Sequence, residues 1–118
     1  MANSKIKIGK TWANISDGKM DQKIKTEVIK LYTQDLKNNY PALTFKEFKV
    51  TSNDYAIQQD EYKRIKFRYV QVYAYAIDKN GKCFTYSCLY TQNYAGGGTY
   101  SSVFSKWGYD NIEEVDCQ

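Results

Sequence analysis

The sequence predicts an α+β chain in which one long amphipathic helix packs across a bent antiparallel meander sheet of four to five strands, in the order β-α-β-β-β-β. Three observations lead there. Apolar residues recur at helical spacing in a single stretch, about residues 18 to 38. The one proline of the chain, Pro41, closes that stretch. Beyond it, apolar and polar residues alternate with a period of two between turn signals, the pattern of half-buried strands. Twelve tyrosines agree with a sheet, because tyrosine suits half-exposed pleated surfaces. An AT-rich genome would supply part of that count. A chain of 118 residues fits one domain over 1–118, long enough to bury roughly two-thirds of its unfolded surface.

Each element has its own justification. Residues 4–10, SKIKIGK, alternate Lys with Ile up to Gly9 and read as a short edge strand, the lysines discouraging edge-to-edge pairing. Ser16 or Asp17 is the candidate N-cap of the helix. Ile24, Val28, Leu31, Tyr32 and Leu36 form its apolar stripe, with Lys23, Lys25, Lys30 and Lys37 mostly off it. In LTFKEFKVTS the alternation slips at Lys46-Glu47, the mark of a β-bulge. The run at residues 63–78 is the longest strand. At ~3.3 Å per residue it would extend on the order of 50 Å, so it is expected to bend around the helix.

The turn DKNGK places Gly81 where a type I turn with a G1 bulge needs a left-handed residue. With Asp78 opposite Lys82, Ala76 meets Phe84, Ala74 meets Tyr86, Val72 meets Cys88 and Val70 meets Tyr90. Small residues then face large ones, as a packed layer requires. That face is expected under the helix. The other face, pairing Tyr75 with Thr85, Tyr73 with Ser87, Gln71 with Leu89 and Tyr69 with Thr91, is expected to point outward. Between YTQNY and TYSSVFSKW, read as successive strands, Gly96, Gly97 and Gly98 form a hairpin loop. A phosphate-binding loop would need Lys-Ser/Thr and a helix after the glycines; here Thr99, Tyr100 and a strand follow.

This order of elements resembles the cystatin-like superfold. Cystatins insert an N-terminal glycine and two hairpin loops into a papain-like protease cleft, the first loop carrying Gln-x-Val-x-Gly and the second commonly Pro-Trp. Gly9 stands at the place of the N-terminal glycine. QNYAG, Gln92 to Gly96, matches the outer letters of the first-loop motif with Tyr94 at its Val, in the hairpin between the third and fourth strands after the helix. Trp107 follows Lys106 rather than proline. The resemblance implies the fold over nearly the whole chain, and the inhibitory motif only in these letters.

Composition narrows the chemistry. The chain has no histidine, which removes Ser-His and Cys-His nucleophile pairs and His-ligated zinc. Cys83, Cys88 and Cys117 lack metal-site spacing. Cys83 and Cys88 are five apart on one strand, so they point to opposite faces and cannot bridge. Whether either pairs with Cys117 stays open. Glu47-Phe48-Lys49 and Glu61-Tyr62-Lys63 read E-x-K, as in metal-dependent nucleases with an upstream Asp such as Asp35 or Asp54. So short a pattern arises by chance in a Lys-rich chain, and a solvated strand edge is the expectation. No catalytic residue, metal or cofactor is implied.

Net charge is +4, with ten lysines against five acids in residues 1–50. That balance permits nucleic-acid binding, but a pI near 8.8 falls short of a strong basic footprint. No apolar run predicts a membrane span or signal. A cytoplasmic chain is expected, with a secreted chain that has lost its signal as the alternative. The expected function is a non-catalytic binding module, an inhibitor or adaptor, engaging a protein or a second copy of itself. Its candidate binding residues are Tyr69, Tyr73 and Tyr75 on the sheet, Gly96, Gly97 and Gly98 at the loop with Tyr94 and Tyr100 as flanking anchors, and Trp107. Tyr with Ser and Thr supplies large contact area at low entropy cost. The alternative is a nucleic-acid binder using helix lysines and stacked tyrosines.

Overall fold

The computed structural model describes residues 11–118; the expected edge strand at residues 4–10, with Gly9, lies outside them. The helix α1 is Gln22–Asn39. Its cap is Asp21, whose carboxylate accepts the N–H groups of Lys23 and Ile24 at 3.1 and 3.3 Å, rather than Ser16 or Asp17. The helix therefore begins four residues later than its expected start. The preceding segment is drawn to the sheet instead. Gly18 N–H donates to the Val50 carbonyl at 2.7 Å, and Asp17 accepts the Val50 N–H and pairs with Lys25. A side chain on Gly18 would collide with the backbone of Ser52. At the other end Tyr40 N–H closes on Leu36 C=O at 2.8 Å, and Pro41 prevents another turn.

Six strands follow: β1 Thr44–Val50, β2 Ala56–Gln59, β3 Ile65–Ile77, β4 Cys83–Gly96, β5 Thr99–Tyr100 and β6 Ser105–Val115. All pair antiparallel. The long strands β3 and β4 form the centre. β1 and β2 run along successive parts of β3, while β6 and β5 run along successive parts of β4. The sheet is thus a meander of four lanes whose two outer lanes are each broken. The register slips between Phe45 and Glu47, at the bulge the alternation indicates. TYSSVFSKW is not one strand: it breaks after Tyr100 and resumes at Ser105, because Phe104 turns inward to close the core.

The β3–β4 register is the one expected from side-chain sizes, from Ala76 opposite Phe84 to Val70 opposite Tyr90. Asp78 N–H donates to Lys82 C=O at 2.9 Å, and Gly81 completes the turn at φ 81°. Val28, Tyr32 and Leu36 of α1 pack with Val50, Val70, Val72, Ala74, Ala76, Tyr86, Cys88 and Tyr90. The Val/Ala/aromatic face therefore lies under the helix. No helix among the described residues is long and apolar enough to cross a membrane.

Candidate functional site

The opposite face of the sheet divides into two halves. At the tight-turn end it is covered. Trp12, in a short 3-10 turn, lies on Tyr75 with ring centroids 5.7 Å apart. Cys83, Val115, Ile15, Tyr73 and Ile77 complete this second core. Lys49 holds the cover in place: its Nζ donates to the carbonyls of Trp12 and Ile15 at 2.9 and 2.7 Å and sits 4.5 Å above the Trp12 ring. A Cys83–Cys117 disulfide ties the chain end to β4, and Gln118 N–H donates to the Tyr75 hydroxyl at 3.0 Å.

This corrects the expected outward face. Tyr75 is only 2% exposed, Thr85, Ser87 and Thr91 are buried, and Tyr73 is half-buried against the Trp12 cluster. Alternation shows that a face is amphipathic; it does not say whether solvent or another part of the chain meets it. Here both ends of the described chain do, with Thr11 bridging to Asp116.

Among the described residues no such cover reaches the far half of that face. Phe67, Tyr69 and Leu89 are half-buried there, and Trp107 is 56% exposed. Phe67 links the aromatic row, its ring centroid 6.1 Å from Tyr69 and 5.8 Å from Trp107. Trp107 lies opposite Leu89, just before an irregularity in which β6 carries extra residues against β4. Beside it is a shallow depression of ≈ 310 Å³, whose lining includes Gln71, Leu89, Trp107, Tyr109 and Asn111.

The hairpin end beyond this row has a defined shape. Gly97 and Gly98 are the two central residues between Gly96 and Thr99, at φ 61° and 79°. Positive φ at both positions is the signature of the type I′ turn favoured by right-twisted strands. Gly96, at φ 93°, sits at the slip in register after Tyr94. All three glycines thus have a backbone reason. Gly98 N–H donates to the Tyr94 hydroxyl at 2.8 Å, and Thr99 Oγ1 donates to Gly96 C=O at 2.7 Å. Replacing Gly97-Gly98 with Asn-Gly is expected to leave the melting temperature nearly unchanged. Gly96→Val is expected to cost ~1–2 kcal/mol, the penalty of a left-handed L-residue; denaturant titration of both variants checks this.

On the helix-bearing side of the same end, aromatic rings enclose an arginine. Arg68 lies across the sheet between Ile57 and Gln92. Its guanidinium carbon is 3.7 Å from the Tyr55 ring centroid and 4.3 Å from that of Tyr100. Its Nε donates to Gln92 Oε1 at 2.8 Å. Tyr94 meets Tyr100 edge to face at 5.1 Å.

The polar cluster between α1 and β6 is committed to structure. Lys106 pairs with Asp35 at 2.6 Å and Asp110 at 2.9 Å. Asp110 also accepts the hydroxyls of Tyr32 and Tyr40 at 2.8 and 3.2 Å. This network fastens α1 to β6. Glu47 accepts from the Gln118 side chain, and Lys49 serves the Trp12 cover, so the first E-x-K pair does not converge with Asp35. Among the described residues no group of three potential metal ligands assembles. Burial pushes the Cys88 thiol up to about 12, far from a reactive thiolate.

The candidate binding residues therefore sort into three places. Tyr69 and Trp107 share the half-face beyond the Trp12 cover. Tyr94, Gly96, Gly97, Gly98 and Tyr100 form the hairpin end, with the two tyrosines on the helix-bearing side. Tyr73 and Tyr75 belong to the covered half. Phe67, Tyr55, Arg68 and Gln92 were missing from the expected set. The even-numbered alternation of β3 does place Arg68 on the helix-bearing side, but nothing local shows that the helix stops short of it. Comparison with family models, curated proteins and solved structures finds no match.

Proposed function

We propose that the chain is a non-catalytic protein-binding module acting through the end of the β3–β4 hairpin remote from the tight turn. Phe67, Tyr69 and Trp107 supply the apolar contact, and the ordered glycine turn with Tyr94 and Tyr100 flanks it. The observation that carries this reading is the exposed indole of Trp107 in an aromatic row, on a face whose other half the chain covers with its own tryptophan. Aromatic anchors of this kind dominate interface energies. An inhibitor or adaptor is the form of module that fits.

Trp107→Ala is expected to weaken a captured partner about tenfold or more, within the range of aromatic anchors. It should lower the melting temperature by only a few degrees, since over half of the residue's surface is in solvent. Affinity capture and thermal melts on the same preparations check both. Undiminished retention by a Tyr69→Ala/Trp107→Ala variant would overturn the reading. Light scattering identifies a second copy as the partner, and titration against a papain-like protease tests the cystatin-like form. Binding to single-stranded or duplex probes that falls steeply with salt would instead make the chain a nucleic-acid binder.

A further inference from the structure

We infer that Arg68 is a receptor for a carboxylate, so that the protein partner engaged at this end presents an Asp or Glu side chain to the open edge of the guanidinium. The inference rests on the binding reading above and adds the chemistry of the partner.

A guanidinium carries five N–H donors in one plane. In Arg68 one of them, Nε–H, is used by Gln92, and Tyr55 and Tyr100 lie against the group. The four N–H groups on the two Nη atoms have no acceptor among the described residues. Arg64 has Asp60, Lys25 has Asp17, and Lys106 has Asp35 and Asp110. Arg68 is half-buried and has no carboxylate within 4.0 Å among the described residues. A partly desolvated guanidinium with open donors gains more from a carboxylate than a fully solvated one does.

The frame also limits how the arginine can be used. The rings and Gln92 hold the guanidinium plane, so its entropy loss on accepting a ligand is small. The paired N–H groups match the two oxygens of a carboxylate. Residues 92–105 contain no charged side chain, so the β4–β5 flank does not repel an approaching acid. Burial raises the pKa of the Tyr55 hydroxyl, Arg68 opposes that, and Asp21, Glu27 and Asp54 add to it, yet none of these three acids pairs with the guanidinium within 4.0 Å. A single planar arginine in a neutral aromatic rim suits a side-chain carboxylate, whereas a phosphate or anionic lipid surface is usually met by a cluster of cations.

The test uses hexaglutamate as probe, with hexaglutamine, inorganic phosphate and phosphatidylserine vesicles as comparisons, at low salt. The Nε–H resonance of Arg68 and the tyrosine fluorescence are the readouts. Hexaglutamate is expected to shift the Arg68 resonance saturably, and hexaglutamine is not. In R68K and R68Q the affinity read by fluorescence should fall by about tenfold, the loss of a charge-assisted bidentate contact. R68K retains a charged stem, so it separates loss of the paired donors from loss of fold or charge. No shift with hexaglutamate, an equal shift with hexaglutamine, or undiminished affinity in both variants overturns the inference. Equal or tighter binding of phosphate or the vesicles also overturns it, assigning the site to those oxyanions. If Trp107→Ala loses a captured partner while R68Q and R68K keep it, the binding reading stands and the carboxylate inference falls.

Discussion

Cys117→Ser is expected to lower stability by about 4 kcal/mol, the chain-entropy value for a cross-link across 34 residues. For a domain of this size that corresponds to roughly 15 °C in melting temperature. Melting the wild-type chain with reductant should reproduce the loss, and the variant should be insensitive to reductant. A wild-type melt unaffected by reduction would show that the bridge contributes nothing. The effect reaches beyond the sulfurs, because Cys83 and Val115 belong to the Trp12 cluster and the neighbouring Gln118 caps the Tyr75 hydroxyl. Releasing the chain end therefore loosens the covered half-face. Disulfides persist in oxidising surroundings, so this part of the stability is lost wherever thiols are kept reduced. Cys88 does not substitute, since it is buried on the other face of the sheet.

Lys106→Met is expected to cost about 3 kcal/mol at neutral pH, because it leaves the Asp110 carboxylate, 5% exposed, without its cation. The hydroxyls of Tyr32 and Tyr40 remain, which holds the loss near the lower end for a broken buried pair. Burial by itself would lower the pKa of Lys106, but its hydrogen bonds to Asp35 and Asp110 outweigh that, and the net shift is upward. A raised folded-state pKa gives stability that is complete below the unfolded value, about 10.4, and is lost as pH rises through the folded value. The wild-type advantage over Lys106→Met should therefore be flat from neutral pH to about pH 10 and shrink above it. Tyr32 is also shifted up by burial and weakens both chains in alkali, so the difference between the two denaturation curves isolates the lysine. A difference that stays constant above pH 11 would count against the network.

The parts legible in the sequence are those set by neighbours in the chain. The β3–β4 register followed from Gly81 in its turn and from alanines and valines opposite aromatics. The bulge beside Glu47 followed from a broken alternation. What could not be read was set at long range. Lys25, Lys49 and Lys106 look like solvated cations in the sequence, yet each is held inside by an acid or by carbonyls from another element. Tyr75 looks outward because the tryptophan that covers it precedes it by more than sixty positions. The helix start moved because Gly18 is drawn against Ser52, a contact no local pattern announces. For the site, the aromatics were legible as residue types. The stacked Arg68 was not, since it requires Tyr55 and Tyr100 to arrive from two different strand ends.

The β3–β4 hairpin also bears on the order in which the chain folds. Its eleven cross-strand pairs close outward from a short turn, so the first of them carry little loop-closure entropy. The Trp12 cover, by contrast, joins sites more than sixty residues apart and must wait for β4 and β6. Contacts formed early are those with the shortest loops. Substitutions at Ala76 and Phe84 are expected to slow folding with φ-values near one-half or above, as in a structured nucleus. Trimming Trp12 should instead speed unfolding and leave the folding rate nearly unchanged. A chevron analysis giving the reverse pattern would place the nucleus at the chain ends. With the hairpin first, the aromatic end of the molecule takes shape before its other half is covered, and until then the uncovered strands are the surface exposed to aggregation during synthesis.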